Sequence, residues 1–536
     1  MTDAVAGGAG GPGRGPGDPA PGQVTVSTPD GDVTGTVRDG VATFRGVPYA
    51  AQPRTTAQWF SLPRPVTPWS GALDCTTRVD DRRLSVTVST PADARPGDRL
   101  PVVVFVHGGR YESGHGDGPW YRGQAFARDR CVSVSVTYRL RFEGFLPLRG
   151  EEVPEDLGPD EPPVYRGAED VLAAFRWVRR SITAFGGDPD AVTAAGQSAG
   201  GALVSWLLTV PRSEGLIHRA VIMSQGFPRV AWTRRRAAAA AVLGGPLTAA
   251  HVAGLPMTRV RRAYRWFSRL YPTDCALGLH PYRPERVRPV PLVVGTMHDE
   301  FVRMPAARLA DRAWRRPAGR SPGGPVRGAV RTAVRAAVRA AVRAAVRTAV
   351  WPVVATMLGV ARRDLRAWTR YCVATDPLVP VGRTIGDSAI RRWNVMLADA
   401  HAAAVAAADP DGPARTWMYE FHGGAATPAG DAVDRGTEAQ HCGELPLFFD
   451  CLDDGPRAVA RFCGPDAPDR LRPLADRFHR LAVDVAHGRM PDWEPYRVSG
   501  EGPTLCCRRF DMTDGTETTV VDPLGAVRAL LPAHHP

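Results

Sequence analysis

Residues 191–208 read AVTAAGQSAGGALVSWLL, and this stretch decides the fold. Ala191 to Ala195 predict a strand, and Ala202 to Leu208 predict a helix. Between them stands Gly196-Gln197-Ser198-Ala199-Gly200, whose glycines permit a sharp strand-to-helix turn. Such a turn holds its serine in a strained, exposed position at a helix N-terminus. The alternative is an ordinary Gly/Ala-rich turn with a solvated serine. The flanking strand and helix favour a nucleophile at Ser198.

Short apolar runs alternate with longer amphipathic stretches along the rest of the chain. Pro101 to Val106 (PVVVFV) is apolar throughout, as is typical of a strand buried on both faces of a parallel sheet. By contrast, Leu84, Val86 and Val88 alternate with polar residues and predict a half-buried strand. Ala168 to Phe185 has the apolar spacing of a helix. Further strands are predicted at Cys131–Tyr138, Arg219–Ser224 and Pro291–Gly295. This alternation predicts the α/β class, with a mainly parallel central sheet flanked by helices.

A nucleophilic serine needs N–H donors for the oxyanion that develops during attack. The string His107-Gly108-Gly109 follows directly on the apolar PVVVFV run, where backbone N–H groups can point at an acyl oxygen. The N–H of Ala199 would complete the set. Alone, the string is equally compatible with an ordinary turn at the end of a strand. Together with the turn at Ser198, it predicts an oxyanion hole.

The excess of basic residues is concentrated in one segment. The 536 residues include 67 basic and 55 acidic side chains, a formal charge of +12 that invites a nucleic-acid or membrane partner. Residues 326–350 contain six arginines and no acid, which is half of that excess. Valine recurs there at every fourth position, so in a helix its stripe drifts around the axis, and arginines one turn apart repel each other. We therefore interpret residues 316–351 as a low-complexity insertion rather than as a cationic helix for a membrane surface or nucleic acid.

The remaining composition predicts a cytoplasmic location. Residues 1–22 are rich in Gly, Pro and Ala, lack the apolar core of a signal peptide and predict a disordered tail. No apolar run reaches the length of about 18 residues that a membrane span requires. The nine cysteines are odd in number and form no C-x-x-C pair, which favours reduced thiols. We predict a soluble protein with a single domain over residues 23–536, no nucleic-acid partner and no membrane span.

Four motifs occur in an order that resembles a known family. Phe44 to Ala50 (FRGVPYA), Pro68-Trp69, Phe185 to Pro189 (FGGDP) and His218-Arg219-Ala220 are similar to strings of the type-B carboxylesterases, the family that includes the cholinesterases. The resemblance runs, with breaks, from about Val24 to Leu531. It implies an α/β-hydrolase fold in which the nucleophile, the acid and the histidine follow in that order along the chain.

The resemblance also implies the partners of Ser198. The family's acid closes a G-x-x-x-D-E string after a strand, and GTMHDE, which ends at Glu300, matches it. Glu300 is therefore the predicted acid and Asp299 the fallback, against the alternative of two solvated loop carboxylates. The family's histidine opens an H-x-x-E-L-x-x-x-F string, which HCGELPLFF matches from His441 onward. His441 is then the base that takes the serine proton, and the acid orients it and stabilises the imidazolium. This chemistry requires no metal and no cofactor.

The oxyanion loop departs from the family pattern at one position. Arg110 stands where the family usually has a third glycine, and its backbone N–H can still donate. The predicted donors are therefore Gly109, Arg110 and Ala199. A residue with a side chain resists positive φ. We hypothesise that the Arg110 side chain either points outward or narrows the pocket and favours an anionic acyl group. Gln197 replaces the glutamate that more often precedes the nucleophile.

These observations predict a serine carboxylesterase that hydrolyses small-molecule carboxylic esters through an acyl-enzyme intermediate. Two other classes remain open at this point. One is a catalytically weak or inactive cholinesterase-like binding protein, although the nucleophile, acid and base positions are all filled. The other is an Arg-rich interaction protein on a hydrolase scaffold, which would act through residues 316–351.

Overall fold

The computed structural model of the chain describes residues 22–78, 84–158, 164–227, 232–271, 284–314, 350–375, 380–423, 439–453, 456–498 and 504–531. The predicted tail, residues 1–22, lies outside these ranges except for its last residue. The predicted insertion, residues 316–351, lies outside them except for its last two residues. Of these, Trp351 is buried, and its indole N–H donates to Thr369 Oγ1 at 2.7 Å.

Thirteen strands form one sheet in the described part of the chain. They are β1 (Gln23–Thr28), β2 (Gly31–Arg38), β3 (Val41–Pro48), β4 (Ala72–Asp74), β5 (Ser85–Pro91), β6 (Leu100–Val106), β7 (Val132–Thr137), β8 (Gly187–Gln197), β9 (Arg219–Met223), β10 (Leu292–Met297), β11 (Thr416–His422), β12 (Cys506–Asp511) and β13 (Glu517–Val521). Their order is β1-β2-β3-β5-β7-β6-β8-β9-β10-β11-β12-β13, with β4 beside β2. The block from β7 to β12 in this order is parallel throughout. The other pairs along the order are antiparallel.

Helices lie on both faces of this sheet. Those described are α1 (Thr56–Trp59), α2 (Gln124–Arg128), α3 (Arg141–Phe145), α4 (Arg166–Ser181), α5 (Ala199–Thr209), α6 (Trp232–Leu243), α7 (Ala249–Ala253), α8 (Met257–Leu270), α9 (Pro305–Trp314), α10 (Trp351–Met357), α11 (Leu365–Thr375), α12 (Pro380–Gly386), α13 (Arg392–Ala408), α14 (Leu445–Phe448), α15 (Pro456–Cys463), α16 (Ala467–Arg470), α17 (Arg472–Ala486) and α18 (Gly525–Leu530). A π-helical turn, Asp387–Arg391, joins α12 to α13. None of the helices in the described ranges is both long and apolar enough to cross a bilayer.

The core has two layers because the central strands are covered on both sides. Along β6, Val102, Val104 and Val106 pack in one cluster, and the alternate residues Val103 and Phe105 pack in the other. Successive side chains of a strand point to opposite faces, so this split places β6 in the middle of the sandwich. The prediction that Pro101 to Val106 is buried on both faces is confirmed, since every residue of β6 is buried.

The other strand and helix predictions are confirmed with one exception. The predicted runs at 131–138, 219–224 and 291–295 correspond to β7, β9 and β10, and the predicted helix corresponds to α4 and the 3₁₀ turn after it. The half-buried character predicted for residues 84–88 is wrong. Ser85 and Ser89 are as buried as Val86 and Val88, because α2 packs against β5 and covers its second face.

The parallel block determines where the loops of interest meet. Strands β6, β8 and β10 run in the same direction, so the segments that follow Val106, Gln197 and Met297 leave the sheet at the same edge. In open parallel sheets, ligands bind at this carboxyl-terminal edge. The three strings singled out in the sequence, which contain Gly109, Ser198 and Glu300, therefore emerge side by side.

Candidate active site

Ser198 occupies a strained turn between β8 and α5. Its backbone has φ of 56° and ψ of −122°, a conformation that residues other than glycine rarely adopt. The glycines on either side of Ser198 are required because neighbouring backbone atoms leave no room for a Cβ. A Cβ on Gly200 would lie 1.9 Å from the carbonyl oxygen of Val106, and a Cβ on Gly196 would lie 2.5 Å from the carbonyl oxygen of Gly200. The strand-to-helix turn predicted from the sequence is confirmed.

The predicted exposure of Ser198 is wrong, because only 5% of the residue is accessible. The loop after β6 lies directly on the turn. A Cβ on Gly108 would lie 2.7 Å from the carbonyl oxygen of Gln197 and 3.0 Å from Cβ of Ser198. A glycine at position 108 is therefore what lets the loop approach the serine closely enough to cover it.

His441 and Glu300 complete a hydrogen-bonded chain with Ser198. Nε2 of His441 lies 3.0 Å from Oγ of Ser198. Nδ1 of the same ring lies 2.5 Å from Oε2 of Glu300, whose side chain is fully buried. The second carboxylate oxygen of Glu300 accepts the N–H of Met297 at 2.9 Å. With its proton on Nδ1, the imidazole presents a free electron pair on Nε2 to the serine hydroxyl.

Asp299, the fallback acid, lies beside this chain but serves another contact. Its Oδ1 accepts a hydrogen bond from Nη2 of buried Arg383 at 3.0 Å. Its Oδ2 accepts the N–H of Ala439 at 3.3 Å, and its own N–H donates to the carbonyl of Ala439 at 2.9 Å. Asp299 thus joins the loop that contains Glu300 to the loop that contains His441. The geometry favours Glu300 as the acid and Asp299 as the residue that holds the two loops together.

The predicted oxyanion donors belong to two segments that meet at Ser198, since Ala199 follows the serine directly and the loop after β6 lies against it at Gly108. Ala199 is the first residue of α5, where a helix has no internal acceptor for its N–H groups. Within the described ranges, no group accepts a hydrogen bond from the N–H of Gly109 or of Ala199. The Arg110 side chain is 52% exposed, and its Nη2 pairs with Oε2 of Glu112 at 2.6 Å. This position favours the outward alternative for Arg110 over a guanidinium that narrows the pocket.

Sequence reasoning assigned no role to Glu444, which lies beside the base. Gln197 Nε2 donates to Oε1 of Glu444 at 3.4 Å and lies 3.5 Å from Nε2 of His441. The Cys442 thiol donates to Oε1 of Gln197 at 3.6 Å, which fixes which end of the amide faces the base. The sequence did contain a signal for Glu444, although it was not used. Glu444 is the fourth residue of the H-x-x-E-L string, and a charged residue beside apolar ones requires a partner when it is buried.

The environment of the site shifts the pKa values of Glu444 and His441. Burial raises the pKa of Glu444, the nearby charge of Glu300 raises it further, and the result is about 7. Burial lowers the pKa of His441, but the neighbouring Cys442 and Glu300 outweigh it and hold this pKa well above its ordinary value. In the described ranges, no cluster of three or more His, Cys, Asp or Glu side chains has the arrangement of a metal site.

The sequence around this site is similar to that of known esterases. The model of the carboxylesterase family matches residues 22–245, which include Ser198, Gly109 and Arg110. The para-nitrobenzyl esterase of Bacillus subtilis (strain 168) is 32% identical over 317 residues, which are 51% of this chain and 62% of the relative. Residues 22–245 of the chain are therefore similar to the carboxylesterase family. The chain matches less than two thirds of the length of these relatives, since the fumonisin B1 esterase of Sphingopyxis macrogoltabida is 35% identical over 222 residues, 38% of this chain and 40% of that protein.

Solved structures support the same fold over 95% of this chain. A thermophilic PNB esterase superposes with a TM-score of 0.67 at 23% identity, over 95% of this chain and 99% of the other. The carboxylesterase of Geobacillus stearothermophilus gives a TM-score of 0.66 at 24% identity over the same shares. These likenesses confirm the α/β-hydrolase fold. Glu300 and His441 lie beyond the range that the family model matches, so their roles depend on the geometry described above.

Proposed function

We propose that this protein is a serine carboxylesterase that hydrolyses small-molecule carboxylic esters. One observation supports this most strongly. Ser198, His441 and Glu300, which come from three separate loops, form a continuous hydrogen-bonded chain with distances of 3.0 and 2.5 Å. A buried serine in a strained turn, joined to a histidine that is oriented by a buried carboxylate, is the arrangement that activates a hydroxyl as a nucleophile.

The proposed reaction proceeds in two halves. Oγ of Ser198 forms a bond to the acyl carbon while its proton passes to Nε2 of His441. The N–H groups of Gly109, Arg110 and Ala199 stabilise the resulting oxyanion. The tetrahedral intermediate collapses, the C–O bond to the alcohol breaks, and the alcohol leaves with the proton from His441. Water then gives a proton to His441 and attacks the acyl-enzyme, after which the carboxylic acid leaves and Ser198 recovers its proton.

The names of the relatives support an ester as the substrate class. The two relatives described above are named for hydrolysis of para-nitrobenzyl esters and of fumonisin B1. We extend to this chain only what those two share, which is an ester as the group that reacts. A cytoplasmic location and the lack of a nucleic-acid partner stay predictions from the sequence.

Hydrolysis of p-nitrophenyl esters from acetate to long-chain acyl groups tests the proposal. The wild type is expected to hydrolyse the shorter esters, and Ser198→Ala is expected to lose roughly 10⁴-fold or more in kcat. Ser27→Ala is the matched control, because Ser27 is exposed on the outer strand β1 and should leave kcat unchanged. A folded wild type without hydrolysis of any member of the series would contradict the esterase and favour a non-catalytic binding protein.

A further inference from the structure

The loop that follows β6 has an unusual backbone for its residue types. Arg110 and Tyr111 both lie in the left-handed region, with φ of 56° and 59°. Side chains with a Cβ disfavour this region, and two such residues in succession are rarer still. At Arg110 the N–H is one of the proposed oxyanion donors. The position of that donor therefore depends on whatever holds the loop in this conformation.

Tyr111 attaches the loop to the segment after β9. The ring is buried, and its hydroxyl donates to the carbonyl of Gly226 at 3.0 Å. Gly226 in turn donates its N–H to the carbonyl of Ser198 at 3.2 Å. On the other side of the loop, the N–H of Arg141 donates to the carbonyl of Tyr111 at 2.8 Å. These contacts fix the end of the loop beyond Arg110.

Glu112 forms hydrogen bonds both within the loop and to helix α8. Its Oε2 accepts a hydrogen bond from Nη2 of Arg110 at 2.6 Å, and its Oε1 accepts the hydroxyl of Tyr264 at 2.9 Å. The N–H of Glu112 donates to the carbonyl of Gly109 at 2.9 Å, and its carbonyl accepts Nε of Arg141 at 2.9 Å. Each polar group of Glu112 therefore contacts either the loop or an element packed against it.

Tyr264 provides a rigid anchor for this carboxylate. It lies on α8, is 4% exposed, and packs edge-to-face on Phe142 of α3 with ring centroids 5.0 Å apart. Only 15% of the Glu112 side chain is exposed, against 52% of the Arg110 side chain. The carboxylate is thus held between a buried hydroxyl on one side and the loop guanidinium on the other.

We propose that Glu112 is a positioning residue for the oxyanion hole and that Tyr264 anchors it, an inference that rests on the proposed esterase function. Glu112 does not contact the reacting atoms. It acts through Gly109 and Arg110, because its contacts hold both residues at positive φ although Arg110 stands where the family usually has a glycine. A small displacement of such donors weakens the interaction with the transition state far more than the binding of the ground-state ester.

The test compares kcat and KM for p-nitrophenyl acetate in single and double variants. Glu112→Gln and Tyr264→Phe are each expected to lower kcat by roughly 10-fold to 50-fold with KM unchanged within about twofold, less than the loss of a whole donor. Tyr271→Phe removes a hydroxyl at the end of the same helix and is the matched control, expected to change kcat by less than about twofold. Tyr264→Phe removes a single oxygen, so it allows the test even if the Glu112 variant folds poorly.

Rescue by glycine separates positioning from general stability. Glycine adopts positive φ without strain, so Glu112→Gln in the background of Arg110→Gly is expected to cost less than about threefold in kcat. If Glu112→Gln lowers kcat as much in the Arg110→Gly background as in the wild type, the positioning role is overturned. An effect on KM without an effect on kcat would also overturn it. Wild-type hydrolysis together with unchanged kcat in both single variants would overturn this inference alone. A wild type without hydrolysis would overturn the proposed function and this inference with it.

Discussion

Gln197 donates a hydrogen bond from its side-chain amide to the buried carboxyl of Glu444 across 3.4 Å. The same nitrogen lies 3.5 Å from Nε2 of His441, so a neutral side chain separates the base from this carboxyl. Because burial and the charge of Glu300 raise the pKa of Glu444 to about 7, this group changes its charge near neutral pH. The pH response of the site is therefore expected to depend on Glu444 and on the neutrality of position 197.

Gln197→Glu is expected to move the rise of kcat/KM with pH to higher pH, by roughly one unit. Only the neutral imidazole accepts the Ser198 proton, so activity increases as pH passes through the pKa of His441, which already lies well above its ordinary value. An added carboxylate favours the imidazolium and raises that pKa further. Glu444→Gln removes a carboxylate and should move the profile in the opposite direction. Rate profiles with p-nitrophenyl acetate measure both, and shifts of the same sign would contradict this account.

Glu444→Gln is also expected to change how folding stability depends on pH. The pKa of Glu444 is about 7 in the folded protein and 4.5 in the absence of the fold, so between these values the folded state retains a proton that the unfolded state releases. Stability from this group is therefore complete below pH 4.5 and decreases as pH rises towards 7. The decrease amounts to at most about 3 kcal/mol.

Urea unfolding at about pH 5 and about pH 8 checks this linkage. Relative to the wild type, Glu444→Gln should be more stable at the higher pH than at the lower. A difference between the two proteins that stays constant with pH would show that Glu444 remains ionised in the folded state.

Glu300→Gln and Asp299→Asn form a matched pair for the identity of the acid. Glu300→Gln is expected to lower kcat by roughly 10⁴-fold, because an amide neither selects the correct tautomer of His441 nor stabilises its cation. Asp299→Asn should cost less than about tenfold in kcat but destabilise the fold by roughly 3 kcal/mol, since it breaks a buried ion pair with Arg383. Kinetics and urea unfolding measure the two effects. The reverse assignment of the large kinetic loss would identify Asp299 as the acid.

Gly200→Ala is expected to destabilise the protein by more than about 3 kcal/mol. The added Cβ would lie 1.9 Å from the carbonyl oxygen of Val106, so α5 and β6 must separate at the point where the serine turn packs on the sheet. Gly254→Ala is the control, because its φ of −79° suits alanine and its Cβ would meet no atom closer than 3.5 Å. Equal thermal unfolding temperatures for the two variants would show that the turn relaxes without cost.

Short strings were enough to predict the elements and the candidate residues of the site. Apolar runs and helical spacing predicted β6 and α4 because hydrophobic periodicity follows directly from strand and helix geometry. The two glycines around Ser198 predicted a tight turn, and the structure shows a close backbone contact at each of them. The burial of Ser198 and of the second face of β5 was missed. Both depend on which segments cover them, namely the loop at Gly108 and helix α2.

The sequence by itself determined the fold class and the strained turn at Ser198, because both follow from periodicity and glycines within short stretches. Glu300 and His441 were predicted from the resemblance of two short strings to those of a known family. Only the tertiary structure decided how side chains from distant strings pair. Ser198 and His441 are 243 positions apart, and Tyr264 and Glu112 are 152 positions apart. Contacts of this kind depend on the order of strands in the sheet and on which helix covers which loop. The order of the strands cannot be inferred from local periodicity. The roles proposed for Glu112, Asp299 and Glu444 therefore rest on contacts that only the tertiary structure shows.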